Sequence, residues 1–171
     1  MTFIIKATSN DAEQLSVLAS KTFLESHGHS APQRDIDNYI SLKLNPEVFK
    51  EELNDSNNIF YLLHFKNQVV GYSKITLNVA TKNIPFNNVT KLERLYLLES
   101  HQDLKLGLML FNFNIEISKK HNQSGIWLYT WVKNKKAIKF YEKAGFKIIG
   151  HYDFKISESH SNPNHQMLLT Y

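Results

Sequence analysis

Cysteine is missing from all 171 residues, which rules out disulfides, thiolate catalysis and zinc sites of the paired-cysteine type. Long apolar runs are missing too. The N-terminus carries neither a bilayer-length stretch nor a charged segment followed by an apolar one. We therefore expect no signal peptide, no membrane span and a cytoplasmic location. There is no internal repeat, low-complexity tract or interdomain linker. Charge of one sign is also scarce: the net charge is +4, and the lysines are scattered except at Lys133, Lys135, Lys136, Lys139 and Lys143. So mild a balance is weak evidence for nucleic acid, for which that lysine cluster is the sole motive, and we expect no nucleic acid as a partner.

What is present suffices for one core. With 42 % hydrophobic and 12 % aromatic content, residues 1–171 are expected to form a single domain. Phe3-Ile4-Ile5-Lys6-Ala7 reads as a strand, and Asn10 with Glu13 resembles a capping box ahead of a helix carrying Leu15, Leu18, Ala19, Thr22 and Phe23. Residues 27–32 break that helix, and 35–44 and 46–53 read as two short ones, with Pro46 in the first turn of the second. Strands at 59–65 and 69–77, joined by Lys66-Asn67-Gln68, form a hairpin.

The stretch from Glu93 to Phe146 is the most informative. A strand at 89–98 leads through residues 102–107 into a helix with the apolar stripe Leu106, Met109, Leu110, Phe113 and Ile117. A second strand, 126–132, is apolar on both faces, the pattern of a central strand. Asn134 and a short helix follow, with Ala137, Phe140, Tyr141 and Ala144 on one face and Gly145 at its end. Residues 147–156 and 166–171 complete the sheet as strands around a polar loop containing Pro163. The class is mixed α/β, with helices packed on a largely antiparallel sheet. Two adjacent strands with a phosphate-binding helix start between them suit a cofactor that has a pyrophosphate at one end and reactive chemistry at the other.

In order and spacing these pieces resemble the GCN5-related N-acetyltransferase (GNAT) superfamily over nearly the whole chain, and within it the bacterial PaiA-like polyamine acetyltransferases. The resemblance rests on Leu92-Glu93-Arg94-Leu95-Tyr96-Leu97, residues 102–107, Trp127-Leu128-Tyr129-Thr130-Trp131 with Asn134, Ala137-Ile138-Lys139-Phe140-Tyr141 with Gly145-Phe146, and Gly150-His151-Tyr152-Asp153-Phe154. It implies an α/β (α+β) GNAT fold, a mixed sheet of about seven strands splayed between the fourth and fifth. It implies acetyl-CoA as cofactor and direct acetyl transfer to a small-molecule primary amine, spermidine or spermine being favoured. The alternatives are a protein N-terminus, a lysine, another small amine, or a non-catalytic acyl-CoA-binding module. Dimers are common among relatives.

The resemblance also assigns residues. Gln102 and Gly107 match the family's cofactor loop, while Lys105 stands where its first glycine is usual. Asp103, Leu104, Leu106 and Leu108 fill the rest of that loop and helix start. Leu95, Tyr96 and Leu97 map to the strand whose backbone meets the cofactor arm, and an amide there can stabilise the oxyanion. Asn134 maps to the opposite side, where it is otherwise a turn residue or helix cap. Ala137, Phe140 and Lys143 accompany it on the last helix.

Tyr141 matches the tyrosine that protonates the departing thiolate, and by periodicity alone it is a core aromatic. Glu93 is our candidate base, its other role being a salt bridge or substrate anchor. It lies two residues before Leu95, so strand alternation points both to one face and Arg94 to the other. Glu25, Asp35, Asp37 and Asp153, with Glu93 and Tyr96, are the acceptor-side candidates, the acids being able to hold a polycationic amine. His27 and His29 lack further ligands at known spacing, and we expect no metal.

Overall fold

The computed structural model describes residues 1–171. Its elements run β1 (Thr2–Lys6), a 3₁₀ turn (Ser9–Asp11), α1 (Ala12–His27), α2 (Gln33–Lys43), α3 (Pro46–Asn54), β2 (Asn58–Phe65), β3 (Gln68–Thr76), β4 (Thr90–Leu97), a 3₁₀ turn (Glu99–Leu104), α4 (Leu106–Lys120), β5 (Gly125–Trp131), α5 (Lys135–Lys143), β6 (Lys147–Lys155) and β7 (Ser161–Thr170). The strands form one sheet in the order β1-β2-β3-β4-β5-β7-β6. Every neighbouring pair is antiparallel except β4 and β5.

Local chemistry explains the boundaries. Lys66 and Asn67 both have positive φ, 49° and 65°, the requirement of a tight turn that matches strand twist. Asn45 accepts from the Val48 N–H at 3.0 Å and Pro46 opens α3. The cap before α1 lies two residues earlier than expected: the Thr8 backbone N–H donates to Asp11 Oδ2 at 2.7 Å, through the 3₁₀ turn, in place of an Asn10–Glu13 pair.

The sheet is covered on both faces. Leu92, Leu106, Leu110, Phe111, Ile126, Leu128, Tyr141 and Met167 form a core beneath α4 and α5. Leu15, Ile36, Phe49, Phe60, Leu62 and Tyr72 form another beneath α1, α2 and α3. Along β2, Phe60 and Leu62 face the second core while Ile59, Tyr61 and Leu63 face the first, so this strand is apolar throughout.

β7 is longer than expected. It begins at Ser161 and includes Pro163, opposite Asp153 of β6. The proline lies just past the end of the β5–β7 pairing, which stops at Trp131 and Asn164. Its carbonyl still accepts the Val132 N–H at 3.0 Å, so the missing donor costs no rung on that side.

Candidate active site

β4 and β5 begin as neighbours and then part. Thr90 lies opposite Ile126 and Lys91 opposite Trp127, and there the pairing stops. Beyond it β4 follows β3, while β5 follows β7 as far as Trp131. The Leu98 N–H donates back to the Val70 carbonyl at 2.9 Å. Backbone alternation then turns Tyr96 towards β3 as well and leaves the N–H groups of Leu95 and Leu97 facing the opening.

Two cavities meet at this opening. A groove of about 970 Å³ runs over the start of α4 and along α5. A smaller cavity of about 260 Å³ lies on the side of α1 and α2. Leu95, Tyr96, Trp131, Asn134, Ala137 and Tyr141 line both, and so form the throat between them.

The groove suits an anion. Lys105, just before α4, has φ 59° and ψ 11°, the left-handed conformation that glycine adopts most easily. The first α4 backbone bond runs from the Met109 N–H to the Lys105 carbonyl at 3.1 Å, leaving the N–H groups of Leu106, Gly107 and Leu108 without helical partners. No side chain caps them. A Cβ on Gly107 would meet only the Leu97 side chain, at 4.0 Å, so internal packing does not demand this glycine and space remains above the amides. Such a helix start attracts phosphate oxygens.

Lys133, Lys135, Lys136 and Lys143 line the same groove, and Lys139 does not. Lys135 and Lys136 open α5, where an ammonium adds to the positive end of the helix dipole. An anion held between the two helix starts offsets that repulsion. Lys136 Nζ donates to Gln102 Oε1 at 2.8 Å, tying α5 to the turn before α4. Asn134 caps α5, its Oδ1 accepting from the Ala137 N–H at 3.1 Å, and Nδ2 is left over by the cap.

Tyr141 is a core aromatic and a throat residue at once. Its ring packs edge-on against Phe140 and Phe146, both at 5.3 Å between centroids. Burial, with a smaller contribution from Tyr96, pushes its phenol above the ordinary value, so it holds its proton at neutral pH.

On the acceptor side the structure corrects the reading of β4. Its register against β3 steps from Arg94 opposite Lys74 to Leu92 opposite Ile75, so Glu93 is the extra residue of a bulge. Alternation does not run through a bulge. Leu92 and Leu95 pack into the core beneath α4, whereas Glu93 turns with Lys91 and Arg94 to the opposite face. There Glu93 Oε1 lies 3.0 Å from Lys91 Nζ, and that ammonium sits over the rings of Trp127 and Tyr129 at 5.2 and 5.6 Å. Arg94 makes two bonds to Glu52, at 2.8 and 3.0 Å, and Lys74 joins the same carboxylate at 3.4 Å. This cluster braces α3 against β3 and β4.

His27, last residue of α1, lines the smaller cavity beside Phe23, Tyr96 and Trp131. Its Nδ1 lies 2.7 Å from Ser26 Oγ, which is also 2.8 Å from the Thr22 carbonyl. In the tautomer that leaves the Ser26 proton to that carbonyl, His27 donates through Nδ1 and Nε2 is an acceptor. Burial, aided by His29, lowers its pKa to about 4, so the ring is neutral. From sequence it reads only as part of the break after α1 and as a weighed metal ligand, although it stands four residues after Phe23 and continues the apolar stripe of α1.

Among the residues assigned from sequence, Gln102, Asp103, Lys105, Gly107, Leu108, Phe140 and Lys143 line the groove together with the throat and Leu97. Leu104 and Leu106 do not: Leu106 is buried in the core and Leu104 is exposed outside the groove. Glu25 is in the groove instead of the acceptor cavity, its Oε2 accepting from the Glu99 N–H at 2.9 Å. On β6, Tyr152 and Phe154 line the acceptor cavity, and alternation turns the intervening Asp153 away. Asp35 accepts from Ser157 Oγ and Asp37 from Gln33 Nε2. Glu93 is thus the one carboxylate lining the smaller cavity. No group of three or more metal-ligating side chains occurs, and no helix is long and apolar enough to cross a membrane.

The profile of the Acetyltransferase (GNAT) family matches residues 15–146. An uncharacterised N-acetyltransferase in the pepI 3′ region of Lactobacillus delbrueckii subsp. lactis is 25 % identical over 155 residues, covering 91 % of this chain and 90 % of that protein. Among solved structures, the PaiA N-acetyltransferase of Thermoplasma acidophilum in complex with coenzyme A superposes with a TM-score of 0.79 at 22 % identity, over 100 % of this chain and 99 % of that one. A Bacillus anthracis chain solved with acetyl coenzyme A gives 0.59 at 27 % identity, over 71 % and 66 % respectively.

Proposed function

The chain belongs to the GNAT acetyltransferase family, and from that premise we propose that it transfers an acetyl group from acetyl-CoA directly to a primary amine entering the smaller cavity. The observation that carries the reading is the two-rung pairing of β4 and β5, which leaves an opening beside the bare amides of α4. Acetyl-CoA supplies the acetyl group as an activated thioester. The amides of Leu106, Gly107 and Leu108, with Lys133, Lys135, Lys136 and Lys143, hold its phosphates. The N–H groups of Leu95 and Leu97 bind the arm and stabilise the negative charge that develops on the acetyl oxygen.

As the new N–C bond forms and the C–S bond breaks, Glu93 takes the amine proton, through water, and Tyr141 gives its hydroxyl proton to the leaving sulfur. The products are the N-acetyl amine and the free thiol of CoA. Without cysteine, an acyl-cysteine relay is not available to this chain. Spermidine and spermine, the acceptors implied by the PaiA-like resemblance, draw support from Glu93 alone, since Glu25 and Asp153 do not reach the smaller cavity.

Calorimetry with CoA, together with thiol release from acetyl-CoA across a panel of amines including spermidine and a lysine peptide, tests the proposal. Saturable heat and amine-dependent release are expected. Heat without release makes the chain a binding module, and absence of both overturns the reading.

A further inference from the structure

The smaller cavity has two aromatic walls. Phe23 and Tyr39 stack at 4.8 Å, and Tyr39 meets Phe154 edge-on at 6.0 Å. On the strands Tyr129 of β5 and Tyr152 of β6 stack at 4.3 Å, only 17° from parallel, and line the cavity with Trp131. No carboxylate between the walls is unpaired: Glu93 is held by Lys91, and Arg94 shares Glu52 with Lys74, so cations outnumber acids there. The Asn162 amide is likewise engaged, by Ser30 Oγ at 2.8 Å and by His160 at 3.0 Å.

Such a cavity favours flat apolar surface and penalises surplus charge. Aromatic faces gain most from another ring set edge-on or offset against them. A second or third ammonium, as on a polyamine, would enter without a free carboxylate to receive it. Resting on the acetyltransferase reading, we propose that the acceptor is a monoamine whose primary amine is carried by a short chain on an aromatic ring, with the ring between the walls and the amine at the throat. Glu93, His27 and the Tyr141 hydroxyl, which all line this cavity, supply its polar partners.

The test compares kcat/KM for 2-phenylethylamine, hexylamine and spermidine. 2-Phenylethylamine is expected to lead both others by about tenfold. Tyr152 is 44 % exposed on the edge strand β6, so its replacement leaves the cores intact. Tyr152→Ala should bring the ratio of 2-phenylethylamine to hexylamine close to one, mainly through KM, while Tyr152→Phe should keep it. Equal or better rates with hexylamine or spermidine, or a ratio indifferent to Tyr152→Ala, overturn the proposal. Calorimetry of the same amines on CoA-saturated protein separates the two levels of inference. If no amine releases thiol, the acetyltransferase reading fails, and the order of binding still decides about the walls.

Discussion

Lys91 and Glu93 face the acceptor cavity as a joined pair, Nζ to Oε1 at 3.0 Å, although β4 bulges at the second of them. The lysine is anchored from below by the rings of Trp127 and Tyr129. The carboxylate is therefore steered towards the cavity by a neighbour that also offsets its charge. Its place follows from the bulge and the cation beside it more than from strand alternation.

Replacing Glu93 with Gln is expected to lower kcat/KM about a hundredfold, most at low pH, where unprotonated amine is scarce. Rate profiles against pH for parent and variant check this. Overlaid profiles would mean that the proton goes elsewhere, with His27 Nε2 the next group to test.

Tyr141→Phe is expected to reduce kcat by about a hundredfold or more while the Kd for CoA changes little, since the ring and its packing remain. Because burial raises this phenol, its ionisation should not shape the rate profile below about pH 10. Single-turnover kinetics beside calorimetry separate chemistry from binding. An undiminished chemical step removes the proton-donor role.

His27 should make stability depend on acid. Its folded pKa of about 4 lies below the ordinary 6.5, so the stabilisation is complete above pH 6.5 and is lost as pH falls from there towards 4. In that window the unfolded chain binds a proton that the folded chain refuses, at most about 1.4 kcal/mol per pH unit. Urea midpoints measured across the window should slope less in His27→Gln.

Lys105→Gly relieves a left-handed residue and is expected to stabilise the fold by about 1 kcal/mol, with CoA affinity kept or improved. Urea unfolding and calorimetry report the two quantities independently. Weaker CoA binding would show that the ammonium itself contacts a phosphate.

Glu52→Gln leaves Arg94 and Lys74 without their shared carboxylate in a mostly buried position. We expect a loss of about 3 kcal/mol in urea unfolding, because two cations then remain desolvated together. A loss below about 1 kcal/mol would mean that water reaches the cluster.

Much of this was legible in the sequence. The helical stripes of α1 and α4 and the two-faced apolar run of β5 gave the elements. The order of a strand, a helix start with Gln102 and Gly107, and another strand gave two adjacent strands with a phosphate-binding helix start between them, and the family resemblance implied their opening. Features that depend on a neighbouring strand were not legible. The bulge at Glu93 exists only against β3, and a single strand carries no mark of it. Pro163 looked like a loop residue because the end of the β5 ladder, which tolerates it, is set by a different segment. The acidic candidates failed to converge for a similar reason: which face Asp153 shows depends on the register of β6 against β7. Leu106 reads both as the first residue of the apolar stripe of α4 and as part of the cofactor loop; its side chain enters the core, while its amide has no helical partner.

The two rungs at Thr90 and Lys91 divide the sheet into leaves fastened at one end, like a booklet held by a short stitch. Whatever occupies the fold line supplies the cross-links that the leaves do not make with each other. Filling it should therefore slow amide exchange on both leaves together, at Leu95 and Leu97 and along the facing edge of β5, so that two loosely joined halves come to open as one.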